Sequence, residues 1–222
     1  MFLRVGHRGA KAYEIENTLK SFQKAIQLGA NAIELDVRKS RDGKLVISHD
    51  DNLKKAYGKE VGINEATLKQ LKQLTENKIA TLQEALEFID NKAEKILVEL
   101  KGTGYEKKVL GVVKKAKLRD RVIIISFHED ALSNVRELDK KIATGLIYAK
   151  HKNPIRAALE LNAQYLVSLY RLTHTKNIED AHEKNLRVIV WTINTKQEIK
   201  EYIAKGVDGI ASDKPDLFKS IS

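Results

Sequence analysis

The chain has 222 residues, 42% of them apolar and 32% charged, so it can bury a substantial core, and no apolar stretch approaches bilayer length. Cysteine is absent, which excludes disulfides, zinc–thiolate sites, iron–sulfur clusters and cysteine nucleophiles and leaves the chemistry to oxygen and nitrogen groups. Lys and Arg outnumber Asp and Glu by 40 to 30, and the resulting charge of +10 favours anionic ligands, but the lysines are spread along amphipathic segments (Lys107, Lys108, Lys114, Lys115, Lys117) without an arginine-rich arm, so no specific nucleic-acid partner is expected.

The first strand-like run, over 3–7, ends in His7-Arg8-Gly9, and Glu16-Asn17-Thr18 then opens a helical segment over 18–28. No room for a signal peptide precedes His7, so a cytoplasmic location is the expectation. A second run, over 32–37, carries Glu34 and Asp36 one residue apart within otherwise apolar sequence. Alternate residues of a strand share a face, so both carboxylates fall on one surface. Asp42-Gly43 signals a hairpin leading into Leu45-Val46-Ile47, which ends in Ser48-His49-Asp50. An insertion of about thirty residues, over 50–80 with a helix at 66–74, precedes the helical segment 82–89.

From there strands and amphipathic helices alternate regularly. The strands are predicted over 96–101, 122–127, 143–148, 165–169, 188–193 and 209–211, and the helices over 106–117, 130–138, 155–161, 177–184 and 196–205, with a short closing piece at 216–219. The strand over 96–101 repeats the earlier arrangement, with Glu99 and Lys101 on one face. Eight strand–helix repeats in this length predict an α/β fold, a single (β/α)8 TIM barrel over 1–222 with a small insertion after the second strand. No Gly-x-Gly-x-x-Gly fingerprint supports an open doubly wound sheet.

In such a barrel the strand C-termini converge, so His7, Arg8, Glu34, Asp36, Glu99, Lys101, Phe127, Tyr148, Tyr170, Trp191 and Asp213 are expected around one pocket. Glu34, Asp36 and Glu99 supply hard oxygen ligands suited to Mg²⁺ or Ca²⁺, with Mn²⁺ a further option. The alternative is a bare ion network with Arg8 and Lys101, which is costly to bury. Arg8 as a bidentate donor and Lys101 as a point charge suit phosphate, and His7 and His49 titrate near neutrality as an acid/base pair. Phe127 and Trp191 are read as a wall against the substrate rather than as barrel core. Glu16 and Asn17 either cap the first helix or orient His7 or Arg8. Surface or capping roles are expected for His128, His151, His174 and His182.

The ordered series His7-Arg8-Gly9, Glu16-Asn17-Thr18, Glu34-Leu35-Asp36-Val37, His49-Asp50, Val98-Glu99-Leu100-Lys101, Trp191-Thr192-Ile193-Asn194 and Ser212-Asp213-Lys214-Pro215 resembles the glycerophosphodiester phosphodiesterase family along nearly the whole chain. The resemblance implies a divalent-metal-assisted hydrolase that releases an alcohol and sn-glycerol 3-phosphate from a small-molecule glycerophosphodiester. It also implies metal ligands at Glu34, Asp36 and Glu99, a general acid/base pair at His7 and His49, and phosphate contacts at Arg8 and Lys101. Members of the family further suggest attack by a glycerol hydroxyl to give a cyclic phosphate, which water then opens. Two departures stand out: Ile15 occupies a position where proline often precedes Glu-Asn-Thr, and the insertion is short, which implies a more open mouth. The alternatives are a lysophospholipase D-type activity on lysophospholipids, which needs an apolar groove beside the mouth, and a non-enzymatic phosphate- or nucleic-acid-binding barrel.

Overall fold

Each predicted strand forms in the computed structural model, which describes residues 1–220. The strands are β1 (Leu3–Gly6), β2 (Ala32–Lys39), β3 (Leu45–Ile47), β4 (Lys95–Leu100), β5 (Val122–Ser126), β6 (Ala143–Tyr148), β7 (Tyr165–Leu169), β8 (Arg187–Trp191) and β9 (Gly209–Ser212). Their lateral order is β1-β9-β8-β7-β6-β5-β4-β2-β3, and a further β1–β2 pairing closes the ring. All ring pairings are parallel, and only β3 runs antiparallel, against β2. The α/β barrel is thus an eight-stranded parallel ring with one hairpin extension, as expected from the alternation.

Helices return the chain between ring strands. They are α1 (Leu19–Gln27), α2 (Lys54–Tyr57), α3 (Leu68–Leu74), α4 (Leu82–Ile89), α5 (Glu106–Lys115), α6 (Glu129–Leu138), α7 (Pro154–Glu160), α8 (Thr175–His182) and α9 (Lys196–Ala204). Their starts follow from side-chain chemistry: Thr18, Thr67, Thr81, Asn153 and Thr195 each accept a backbone N–H from the first turn, which satisfies a donor the helix cannot. The fifth helix stops at Lys115 rather than 117, because Lys117 takes a left-handed φ of 59°. Among the described residues no helix is long and apolar enough to cross a membrane.

Register divides the apolar residues into layers. Odd-numbered residues of β1 and β4–β9, with even-numbered residues of β2, point into the ring, where Leu3, Val5, Ala32, Leu97, Ile123 and Ile189 form the inner core. Their neighbours, such as Ile33, Leu35, Ile96, Val98 and Ile124, face outward and pack under the helices. The insertion has a core of its own from Val46, Leu53, Ile63, Ala66, Leu71 and Ile79. Strand ends differ from expectation in both directions, and the run predicted over 188–193 ends at Trp191 while that over 209–211 extends to Ser212. The first, third and fourth predicted strands stop one residue early, so His7, Lys101 and Phe127 lie just past the ladder, where the chain turns over the barrel mouth. The second runs two residues longer, because pairing of Arg38 and Lys39 with Val46 and Leu45 sustains it beyond the ring.

Candidate active site

The β1–α1 turn is built by two close approaches. A Cβ at Gly6 would lie 2.8 Å from Ala25 Cβ, and one at Gly9, whose φ is +81°, would lie 2.4 Å from Ser21 Oγ, so α1 can pack on the turn only with glycine at both positions. Between them Arg8 holds a left-handed φ of 54°, which a non-glycine residue adopts only when its surroundings over-determine it. Three hydrogen bonds do so. Arg8 N–H donates to Glu34 Oε2 at 2.8 Å, and its carbonyl accepts from Asn17 N–H at 3.1 Å and Ser21 Oγ at 2.9 Å.

Above the inner apolar layer the same inward face turns acidic. Asp36 lies directly opposite Glu99 in the β2–β4 register, and one oxygen from each of Glu34, Asp36 and Glu99 falls within 4.8 Å of the others. Lys101 Nζ contacts Glu99 Oε1 at 2.7 Å and Asp36 Oδ1 at 3.5 Å, while Arg8 Nε lies 3.4 Å from Asp36 Oδ2. Two cations therefore face three buried carboxylates. Burial and the charges of Asp36 and Glu99 push Glu34 well above the usual carboxylate range. Burial and Asp36 likewise raise Glu99 to about 7, against the pull of Lys101. Asp36 is the exception: burial alone would raise it, but Lys101, Arg8 and His49 outweigh that penalty and hold it low.

Those three carboxylates fit a divalent cation. Glu34 Oε1 is buried with neither a hydrogen bond nor an ion pair among the described residues, and Asp36 Oδ1 has no hydrogen bond beyond its 3.5 Å ion pair with Lys101, an arrangement that a hard cation satisfies. Glu16 contacts Arg8, as one of its two readings held, whereas the Asn17 side chain meets neither reading and holds Asp36. Glu16 Oε1 accepts from Arg8 Nη1 at 2.9 Å, and Asn17 exchanges two bonds with Asp36, at 2.8 Å through its Nδ2 and at 3.2 Å through its Oδ1. Thr18, not Glu16 or Asn17, caps α1.

Each of the two histidines engages a carboxylate through Nδ1. His7 Nδ1 lies 2.7 Å from Asp213 Oδ1, and His49 Nδ1 lies 2.7 Å from Asp50 Oδ1. Asp213 is itself fixed by Asn194, which donates from Nδ2 to Oδ2 at 2.8 Å and accepts the Asp213 N–H at 2.9 Å. Burial alone would raise Asp213, but the hydrogen bond and charge of His7 outweigh it and bring the carboxyl down to about 2. Burial lowers His49, aided by the charges of Arg8 and Lys101 and opposed by Asp36. Both rings thus keep Nε2 free of any protein partner among the described residues.

These groups share a cavity of about 160 Å³ with an apolar far side. Phe127 and Trp191 meet edge to face there, with centroids 5.8 Å apart and planes at 87°. Trp191 is fixed by donation from Nε1 to Val167 O at 3.0 Å, and Phe127 remains 45% exposed at the mouth. His7, Arg8, Glu34, His49, Glu99, Lys101, Phe127 and Trp191 all line this cavity, and Asp36 lies behind them, fully buried.

Two expected members do not join it. Tyr148 is an even-numbered residue of β6 and so packs outward against the helix layer. Tyr170 is buried edge-on against Tyr202 at 5.6 Å, with its hydroxyl donating to Glu198 Oε1 at 2.9 Å. The four remaining histidines lie away from the cavity: His128 and His174 at the starts of α6 and α8, His151 beside Glu129 at 3.2 Å and His182 beside Asp208 at 2.9 Å. Asp50, Asp213 and Asn194 are the groups to which sequence reasoning gave no role of their own. They stood within the motifs His49-Asp50, Ser212-Asp213-Lys214-Pro215 and Trp191-Thr192-Ile193-Asn194, but only the folded geometry pairs them with the rings.

Comparison with known proteins covers nearly the whole chain. The family model described as "Glycerophosphoryl diester phosphodiesterase family" matches residues 7–217. A glycerophosphodiester phosphodiesterase of Caldanaerobacter subterraneus subsp. tengcongensis is 30% identical over 96% of this chain and 95% of its own. The crystal structure of a glycerophosphodiester phosphodiesterase from Thermotoga maritima is 33% identical and superposes with a TM-score of 0.84, covering 100% of this chain and 99% of that one. A phosphodiesterase of Oleispira antarctica, solved in complex with the product sn-glycerol-3-phosphate, is 26% identical with a TM-score of 0.87, covering 97% of this chain and 94% of that one.

Proposed function

The chain belongs to the glycerophosphoryl diester phosphodiesterase family, phosphoric diester hydrolases by class, and from that premise we propose how its residues divide the work. The substrate is a small glycerophosphodiester, and the products are an alcohol and sn-glycerol 3-phosphate. Residues 1–222 act as one catalytic unit with the insertion at about 50–80, working in the cytoplasm.

Arg8 and Lys101 bind the non-bridging phosphoryl oxygens, Arg8 through its guanidinium and Lys101 as a point charge. Trp191 and Phe127 hold the glycerol moiety against the apolar side of the cavity. One of His7 and His49 takes the proton from the attacking hydroxyl through Nε2, and the other donates a proton to the departing alkoxide. Asp213 and Asp50 keep each ring turned so that Nε2 faces the substrate. Glu34, Asp36 and Glu99 would hold a divalent cation, Mg²⁺ or Ca²⁺ with Mn²⁺ a further option, whose contribution when bound is Lewis-acid offset of the phosphoryl charge. Glu16 and Asn17 fix Arg8 and Asp36 in place.

The observation that carries this reading is the juxtaposition of carboxylate oxygens without a hydrogen bond and two carboxylate-oriented histidines in one cavity. Its test is release of sn-glycerol 3-phosphate from glycerophosphocholine and glycerophosphoethanolamine, with and without EDTA, by wild type and His49→Ala. Turnover is expected to depend on added divalent metal and to fall by roughly 10²- to 10⁴-fold in the variant. Metal-independent turnover, or an active variant, overturns the assignment. A second reading, lysophospholipase D-type activity, is favoured by one feature, the exposed Phe127 ring beside Trp191, which offers apolar surface to an acyl chain. Faster turnover of a lysophospholipid than of glycerophosphocholine would select it.

A further inference from the structure

The second strand outruns the barrel, and what it carries past the rim bears on substrate choice. Arg38 continues the inward face of Glu34 and Asp36, about 6.6 Å further along the strand than Asp36. Lys39 follows it, and pairing with β3 holds both above the mouth. Arg38 is anchored by donation from Nε to the carbonyl of His49 at 2.9 Å, while its Nη groups and Lys39 Nζ have no protein partner among the described residues. Together with Lys101 they line a cavity of about 190 Å³ between the hairpin, the β4–α5 loop and the insertion. Lys101 lines the catalytic cavity as well and is the one residue the two linings share.

The charge in this second space is decided by count. Lys101 is already ion-paired with Glu99 and Asp36, so the remaining cations of this lining are Arg38 and Lys39, which face one carboxylate, Asp51, that already accepts from Asn52 Nδ2 at 3.0 Å. Thr103 and Asn64 add neutral donors to the same wall. Such a lining stabilises an anionic group and disfavours a lone ammonium.

Resting on the proposed reading, in which glycerol lies on the Phe127–Trp191 side, the leaving alcohol points across the cavity toward this space. We infer that Arg38 and Lys39 form a head-group subsite that selects glycerophosphodiesters whose leaving alcohol carries an anionic group, a carboxylate or a phosphate.

The test compares glycerophosphoserine with glycerophosphoethanolamine, which differ by one carboxylate. Wild type is expected to favour the serine compound by about tenfold in kcat/KM, and Lys39→Glu, at an exposed position outside the catalytic groups, should erase that preference while leaving turnover of the ethanolamine compound within about twofold. Calorimetric titration of both compounds into His49→Ala, with and without Lys39→Glu, reads the same preference without turnover. Equal kcat/KM and equal affinity for the two compounds overturn the subsite and leave the activity standing. Loss of the activity with the serine preference in binding retained overturns only the catalytic reading, and absence of both turnover and binding overturns both. Inorganic phosphate separates the other source of such an anion: competitive inhibition abolished by Lys39→Glu, with no head-group preference, assigns the space to free phosphate and overturns the head-group role.

Discussion

At the level of single residues the proposed site pairs each histidine with a carboxylate that fixes its orientation. Asp213 does this for His7, and Asp213→Asn is expected to lower turnover by roughly 10- to 100-fold, because the amide still fills the space but no longer holds the ring in one orientation as a carboxylate does. The same pair contributes to acid stability. The folded-state value of about 2 lies below the ordinary 3.8, so the ionised carboxylate favours the folded chain above pH 3.8 and that stabilisation is lost as pH falls through about 2. Unfolding midpoints of wild type and Asp213→Asn, measured at intervals from pH 5 down to pH 2, should therefore converge at the acid end. The reactive residues themselves were legible as types in the sequence, because charges one residue apart in apolar strands have few structural uses. Their pairing was legible unevenly: Asp50 follows His49 directly, whereas Asp213 lies 206 positions from His7 and only closure of the ring makes them neighbours.

At the level of elements, local chemistry decided most boundaries. Thr81-Leu82 opens α4 and Thr195-Lys196 opens α9, with the threonine hydroxyl capping the first turn in each. Where strand ends moved, the cause was tertiary: propensity carries an apolar run onward, but the ladder ends where the chain must turn over the mouth. The face of Tyr148 was misread for the same reason, since position near a strand end does not fix which side the residue takes, while parity does. The insertion tests whether its small core is a separate unit. Leu71 is fully buried there, and Leu71→Ala should cost about 2–5 kcal/mol by urea unfolding. Limited proteolysis should then cut within 50–80 before it cuts the barrel, because this core is smaller than the two it adjoins.

Across the whole molecule, the surplus of cations acts at longer range than any of these contacts. With 40 basic against 30 acidic side chains, the net field attracts anionic diesters to the molecule. Raising salt from 0.01 to 0.15 M shortens the screening length from about 30 to about 8 Å, so kcat/KM should fall by about two- to tenfold while kcat is unchanged. Stopped-flow or initial-rate data over that range separate the two parameters. Barrel closure was readable from eight alternations, but the hairpin that lifts Arg38 and Lys39 above the rim was readable only as a turn at Asp42-Gly43, without its consequence for the mouth.

The seam of the ring carries one more implication. β1 is hydrogen-bonded to β2 on one side and to β9 on the other, so Glu34 and Asp36 stand on one flank of His7 and Asp213 on the other. During synthesis the acidic groups, both histidines and Arg8 leave the ribosome early, yet His7 has no carboxylate to orient it until β9 has been translated and seated. A chain interrupted before that point owns nearly every reactive group and still lacks an ordered His7. On the proposed reading, in which an oriented His7 moves a proton, turnover therefore waits for β9 to close the ring.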